Sequence, residues 1–193
     1  MRTVTLFLLR HGQKFGDSNT TFGLEQLAAT NDAHLAGVTI DWIYCSDMKR
    51  TMQAAKHILA HRNNPEDSGN IIEHPAFFVG FLSSPEHMEE SVRIDKLLGE
   101  HGGTRDWQEN WKESTSITEG IVKAMKEMAE LALDGGNVLV CNHSPLCGLA
   151  ALDDMAPIGL ADVVKYVMVD DGSGWRIESS TLLPCPLKVP AAA

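Results

Sequence analysis

The chain has 193 residues, 44% of them hydrophobic, and a formal net charge of −10, enough length for one domain with its own core and close to ordinary globular composition. The acidic balance argues against general binding to DNA or RNA, whose affinity rests on neutralising phosphates, although net charge does not decide what one local pocket holds. No apolar run approaches the length that crosses a bilayer, and Cys45, Cys141, Cys147 and Cys185 form no Cys-x-x-Cys pair, which fits reduced thiols in a cytoplasmic protein.

Residues 3–9, TVTLFLL, are β-branched and continuous, the pattern of a strand covered on both faces. With no small-residue cleavage site after it, this stretch reads as a first strand rather than a signal peptide. A helix is expected over 24–36, carrying Leu24, Leu27, Ala28 and Leu35 and stopped by Gly37. DWIYC (41–45) reads as a second strand. Ser46 suits the N-cap of the next helix, with Asp47 in its first turn. That helix reaches about His61 with Met48, Met52, Ala55, Ile58 and Leu59 on one face. Residues 70–74 suit a third strand. The stretch 75–112 mixes glycine, proline and aromatic residues and is expected to be an insertion or lid, with one helix near 86–98. Trp107 and Trp111 are candidates for that lid, and Trp42 for the core.

Ser116 and Glu119 have capping-box spacing, and Ile117, Ile121, Ala124, Met128 and Leu131 follow at helical spacing until Gly135 and Gly136. NVLVCNH (137–143) is a buried strand ending in a histidine, and Ser144 and Pro145 suit the N-cap and first position of a following helix. Residues 163–169 and 175–182 close the sequence as two strands around the turn DDGSG. The expected organisation is a single domain over 1–185, with the insertion at 75–112, and a proline-spaced C-terminal tail over 186–193.

Strands alternating with helices predict an α/β domain with a mainly parallel central sheet flanked by helices, whose ligands bind beyond the carboxyl ends of the strands. Arg10, His11 and His143 all lie at such ends, and Arg50 lies in the first turn of the helix after the second strand. Taken singly, each has an ordinary explanation: a solvated turn, a core histidine, a surface arginine. Taken together they describe an oxyanion site, with guanidiniums for phosphate oxygens and an imidazole able to attack phosphorus. His57 and His61 have metal-ligand spacing, but HILAH lacks the glutamate of a zinc protease, and a solvated helix face explains them better. A cysteine phosphatase loop would need arginine six residues after Cys141; Cys147 stands there instead.

The motifs LLRHG (8–12), IYCSDMKRTMQAA (43–55) and VLVCNHSP (138–145), in that order and each following a strand, resemble the histidine phosphatase superfamily, or phosphoglycerate mutase-like family. The resemblance implies that family's fold, with His11 as the nucleophile carrying a phosphohistidine and Arg10, Arg50 and His143 holding the phosphoryl oxygens. TFGLEQ (21–26) matches a structural segment opening the first helix. The family often has Asn or Thr soon after RHG; here Gln13, Lys14 and Asn19 are the candidates, with Asn19 taken as substrate-binding. Ser144, where glycine is common, is a further substrate-binding candidate. The acid that protonates the leaving group is expected after the third strand: Glu73, Glu86, Glu89 or Glu90, with Glu86 preferred. The implied activity is a phosphatase without metal or cofactor. It would act on a small phosphomonoester or a phosphoprotein, hold phosphate or sulfate in its site, and have no nucleic-acid or membrane partner. Two alternatives stand beside it. One is a phosphoglycerate mutase-type phosphotransferase, for which the insertion offers just Arg93, Lys96, Arg105 and Lys112 as cations. The other is a non-catalytic phosphate-binding module.

Overall fold

The computed structural model describes residues 1–62, 64–77, 89, 93–94, 96–98, 103–111, 114–144 and 146–188. Strand β1 (Arg2–Arg10) leads into a small hairpin, β2 (Lys14–Phe15) and β3 (Ser18–Asn19), then helix α1 (Thr21–Thr30). Next come β4 (Trp42–Cys45), α2 (Lys49–Arg62), β5 (Ile71–Glu73), α3 (Thr104–Asn110), α4 (Ser114–Leu131), β6 (Asn137–Asn142), β7 (Val163–Asp170) and β8 (Arg176–Leu183). The sheet order is β5–β4–β6–β1–β7–β8. The pairs β5–β4, β4–β6 and β6–β1 are parallel. The closing strands β7 and β8 are antiparallel additions on the far side of β1.

Alternation along the central strands decides what each face buries. Val4, Leu6 and Leu8 of β1, with Val138 and Val140 of β6, meet Ile117, Ile121, Met125 and Met128 of α4. Phe7, Leu9, Leu139 and Cys141 face the other way, onto Leu27 of α1 and Ala54, Ala55 and Ile58 of α2. Each fully buried aliphatic side chain contributes about 1.5–3 kcal/mol, so the central strands are pinned from both sides. Register then aligns their carboxyl ends: Arg10 stands opposite Asn142 and Cys45 opposite Cys141. The residues that follow these three strands therefore emerge at one edge of the sheet.

Several local expectations are corrected. The first helix begins at Thr21, not Leu24, because the Thr20 side chain caps it by accepting from Gly23 N; it ends at Thr30 and continues as a π-helical turn over Asn31–Leu35. Helix α4 starts at Ser114, so Ser116 and Glu119 lie inside its first turns rather than at its cap. No helix follows β6 among the described residues; 144 and 146–150 run as turns. The backbone carbonyls there are claimed by side chains elsewhere, Cys147 O by the Tyr166 hydroxyl and Leu149 O by Gln108 Nε2. Trp107 and Trp111 are buried in the core beside α4, and Trp42 packs against the same core. Of the helix expected near 86–98, the described members Glu89, Arg93, Ile94 and 96–98 are helical. Beyond β8, Cys185 is buried and Gln26 Nε2 donates to Leu187 O, which lays the C-terminal segment against α1. Among the described residues no helix is long and apolar enough to cross a membrane.

Candidate active site

The turn after β1 is set by a close backbone approach. A Cβ on Gly12 would lie 2.1 Å from Gly23 O, and one on Gly23 would lie 2.1 Å from Gln13 O. Two glycines thus let the catalytic-looking turn press onto the start of α1. Gln26, 1% exposed, ties the same turn to the C-terminal segment by accepting from Gln13 N while donating to Leu187 O.

His11 is held by its backbone, which donates to Asn142 O and accepts from Ala161 N. Its ring is 3% exposed. Nδ1 lies 2.8 Å from Gly12 O; a carbonyl only accepts, so Nδ1 carries the proton and Nε2 keeps its lone pair. Burial pushes His11 down to about 3, assisted by Arg10, Arg50 and Lys14 and opposed by the Gly12 hydrogen bond. His143 sits edge-on to it, with ring centroids 5.5 Å apart at 67°. Burial, then Arg50, His11, Arg10 and Lys14, push His143 to about 2. Both imidazoles are therefore neutral near pH 7.

Arg50, the second residue of α2, reaches back to the sheet edge. Its Nη2 lies 3.3 Å from His143 Nδ1 and its Nη1 is 2.8 Å from Asp17 Oδ1, while Nε is buried with no partner among the described residues. Asn19 supports this arrangement from the hairpin: its Nδ2 donates to Arg50 O and its backbone N donates to Gln53 Oε1. The Ser46 hydroxyl accepts from Met48 N, as a helix-capping side chain does, and also lies 2.9 Å from His143 Nε2. Arg10 donates to Ile158 O. Together with His11, Gln13, Lys14 and Lys188 it lines a cleft of about 560 Å³.

The structure thus brings together Arg10, His11, Arg50 and His143, with Asn19 beside Arg50. Ser144 follows His143 in a half-buried turn, not at a helix N-terminus, so no helix dipole contributes there. Glu73 ends β5 at the same sheet edge and is exposed, as is Glu89; Glu86 and Glu90 lie outside the described residues. Three contributors escaped the sequence reading. Asp17 and Ser46 carry no local mark of their roles. Asn142 does, as an amide ending an otherwise apolar strand; it is fully buried, and neither of its polar side-chain atoms has a partner among the described residues.

Cysteine chemistry fits poorly. All four thiols are free and buried. Burial raises the Cys45 thiol to about 11, Cys147 to about 12 and Cys141 well above its ordinary value. Among the described residues no cluster of three His, Cys, Asp or Glu side chains could hold a metal ion. His61 pairs with Asp32 at 2.8 Å.

A search of curated proteins gave no match. Among solved structures, phosphoglycerate mutase from Bacillus anthracis is similar at 21% identity and a TM-score of 0.61, over 92% of each chain. A mycobacterial glucosyl-3-phosphoglycerate phosphatase is similar at 17% identity and a TM-score of 0.56, over 92% of this chain and 98% of that one. The same phosphatase in complex with VO3 gives 16% identity and a TM-score of 0.60, over 92% of this chain and 98% of that one. These likenesses establish a shared fold. The family model for the histidine phosphatase superfamily (branch 1) matches residues 6–153, which spans the RHG turn, Arg50 and His143, and the chain belongs to that superfamily.

Proposed function

We propose that this protein is a metal-independent phosphatase that hydrolyses phosphomonoesters through a phosphohistidine on His11. The observation that carries the reading is a neutral, buried His11 with Nε2 bare, whose ring stands edge-on to a second imidazole 5.5 Å away that Arg50 touches. His11 Nε2 attacks phosphorus in line, so an N–P bond forms as the P–O bond to the leaving group breaks. Arg10, Arg50 and His143 stabilise the charge on the non-bridging oxygens. Glu86, assigned from its place after the third strand, gives its proton to the leaving oxygen. Its carboxylate then takes a proton from the water that displaces phosphate from His11. Asn19 and Ser144 are assigned to the substrate side of the same pocket.

The cleft beside His11 is bordered by two exposed lysines, Lys14 and Lys188, cations suited to an incoming phosphomonoester. Four buried free thiols suit a reducing compartment, and we place the protein in the cytoplasm. The test is hydrolysis of p-nitrophenyl phosphate by wild type and His11→Ala. Wild type turns over and forms an acid-labile phosphoenzyme, and His11→Ala does neither. Equal turnover by both proteins refutes the mechanism. Glu86→Gln is expected to lower the rate by roughly 10²–10⁴.

A further inference from the structure

The phosphatase reading leaves two buried hydroxyls without a task. Ser46 and Thr51 are fully buried, their oxygens lie 2.8 Å apart, and Ser46 Oγ lies 2.9 Å from His143 Nε2. Counting protons along this line fixes every direction. A guanidinium only donates, so Arg50 Nη2, 3.3 Å from His143 Nδ1, requires that nitrogen to be bare. A neutral imidazole with Nδ1 bare carries its proton on Nε2 and donates it to Ser46 Oγ. Thr51 Oγ1 lies 2.7 Å from Met48 O and 3.1 Å from Ser46 O. Carbonyls only accept, so the Thr51 proton goes to them and Thr51 must accept from Ser46. The first turn of α2 therefore sets, through two hydroxyls, the tautomer of a histidine at the end of β6.

A bare Nδ1 is the wrong atom to meet a phosphoryl oxygen, since two lone pairs would face each other; one added proton turns it into a donor. We infer that Ser46 and Thr51 are positioning residues that hold His143 with Nδ1 bare beside Arg50, so that His143 takes up one proton there when a phosphoryl group binds. For a phosphomonoester monoanion the proton comes from its own P–OH: the O–H bond breaks, the Nδ1–H bond forms, and the dianion lies against an imidazolium. For a dianion the proton comes from solvent. Among the described residues the groups facing His143 are Arg50 from α2, His11 and Arg10 from the end of β1, and Lys14 from β2. Asp17 reaches it through Arg50. The groups in direct reach are cationic or neutral, so the ring stays neutral until an anion enters, and Ser46 still accepts from Nε2 after it does.

Inorganic phosphate is the probe. Calorimetric titration at pH 8.5, where inorganic phosphate is almost wholly dianion, in buffers of different ionisation enthalpy, is expected to show uptake of about one proton per phosphate bound by wild type. Nitrogen-15 spectra of the His143 ring are expected to show a bare Nδ1 in the free protein and two protonated nitrogens in the complex. Ser46→Ala and Thr51→Val are expected to lose on the order of 10–100-fold in kcat/KM for p-nitrophenyl phosphate, as removal of an orienting partner does, with the alkaline limb of the pH profile displaced. Thr51→Ser, which keeps the hydroxyl, stays near wild type. If a variant fails to fold, the two wild-type measurements decide. Phosphate binding without proton uptake, or a free His143 with its proton on Nδ1, overturns the inference while hydrolysis stands. Wild type that neither binds phosphate nor hydrolyses the ester overturns the phosphatase reading and this one with it.

Discussion

Lowering the pH from 7 to 5 is predicted to destabilise the protein by about 4 kcal/mol through His11 and His143 alone. In the unfolded chain each ring gains its proton near 6.5; folded, His11 does so at about 3 and His143 at about 2. Between those values the unfolded chain binds more protons, so stability is fully present above 6.5 and falls as the pH drops toward the folded values. The slope is about 1.4 kcal/mol per pH unit per ring, which over this interval amounts to about 2 kcal/mol for each. Exposures of 3% and 6% leave little solvent to relieve the cost. The loss is large against a total stability of about 5–15 kcal/mol. The assay is urea unfolding at the two pH values for wild type, His143→Gln and the double variant His11→Gln/His143→Gln. Burial lowers His57 and His74 as well, and the double variant subtracts their share. A wild-type pH dependence no steeper than that of the double variant refutes the claim that both rings are held neutral by burial and neighbouring cations.

Arg50→Ala is expected to lower kcat/KM for p-nitrophenyl phosphate by about 10²–10³, and Arg50→Lys to recover little, since a lysine cannot reach Asp17 and His143 with two separate donors; steady-state kinetics on both variants checks this. Gly12→Ala places a methyl 2.1 Å from Gly23 O, and thermal unfolding is expected to report a loss of about 3 kcal/mol together with lost activity, whereas an unchanged midpoint contradicts the close approach. Asp162→Ala removes the acceptor of Cys185 N and Gly159 N and the partner of Lys188. A cost of about 3 kcal/mol is expected from the two backbone donors left unpaired, with faster proteolytic trimming near residue 185.

Much of this molecule is legible in local pattern. The apolar runs at 6–9 and 138–141 require a sheet covered on both faces, because a strand hydrophobic on both sides must bury both. Helical spacing marks α2 and α4 for a similar reason. The RHG turn, the arginine in the first turn of α2 and the histidine after β6 stand out because cationic and imidazole side chains at strand ends are the ones an oxyanion site would need. Other features depended on partners far along the chain. Ser46 has the sequence credentials of a helix cap and accepts from Met48 N, but nothing local shows that its hydroxyl also meets His143, 97 residues away. Ser144 and Pro145 look like a helix start, yet side chains from α3 and β7 take the carbonyls of the turns that follow. Asp17 on Arg50 and Lys188 on Asp162 are likewise contacts between distant segments. The sequence by itself determined the layers, the central strands and the placing of Arg10, His11 and His143 at strand ends, since each follows from patterns within a few residues. Only the tertiary structure decided which nitrogen of each histidine is bare and which hydroxyl and carboxylate stand behind it, because a hydrogen-bonding group takes whichever partner folding brings within about 3 Å.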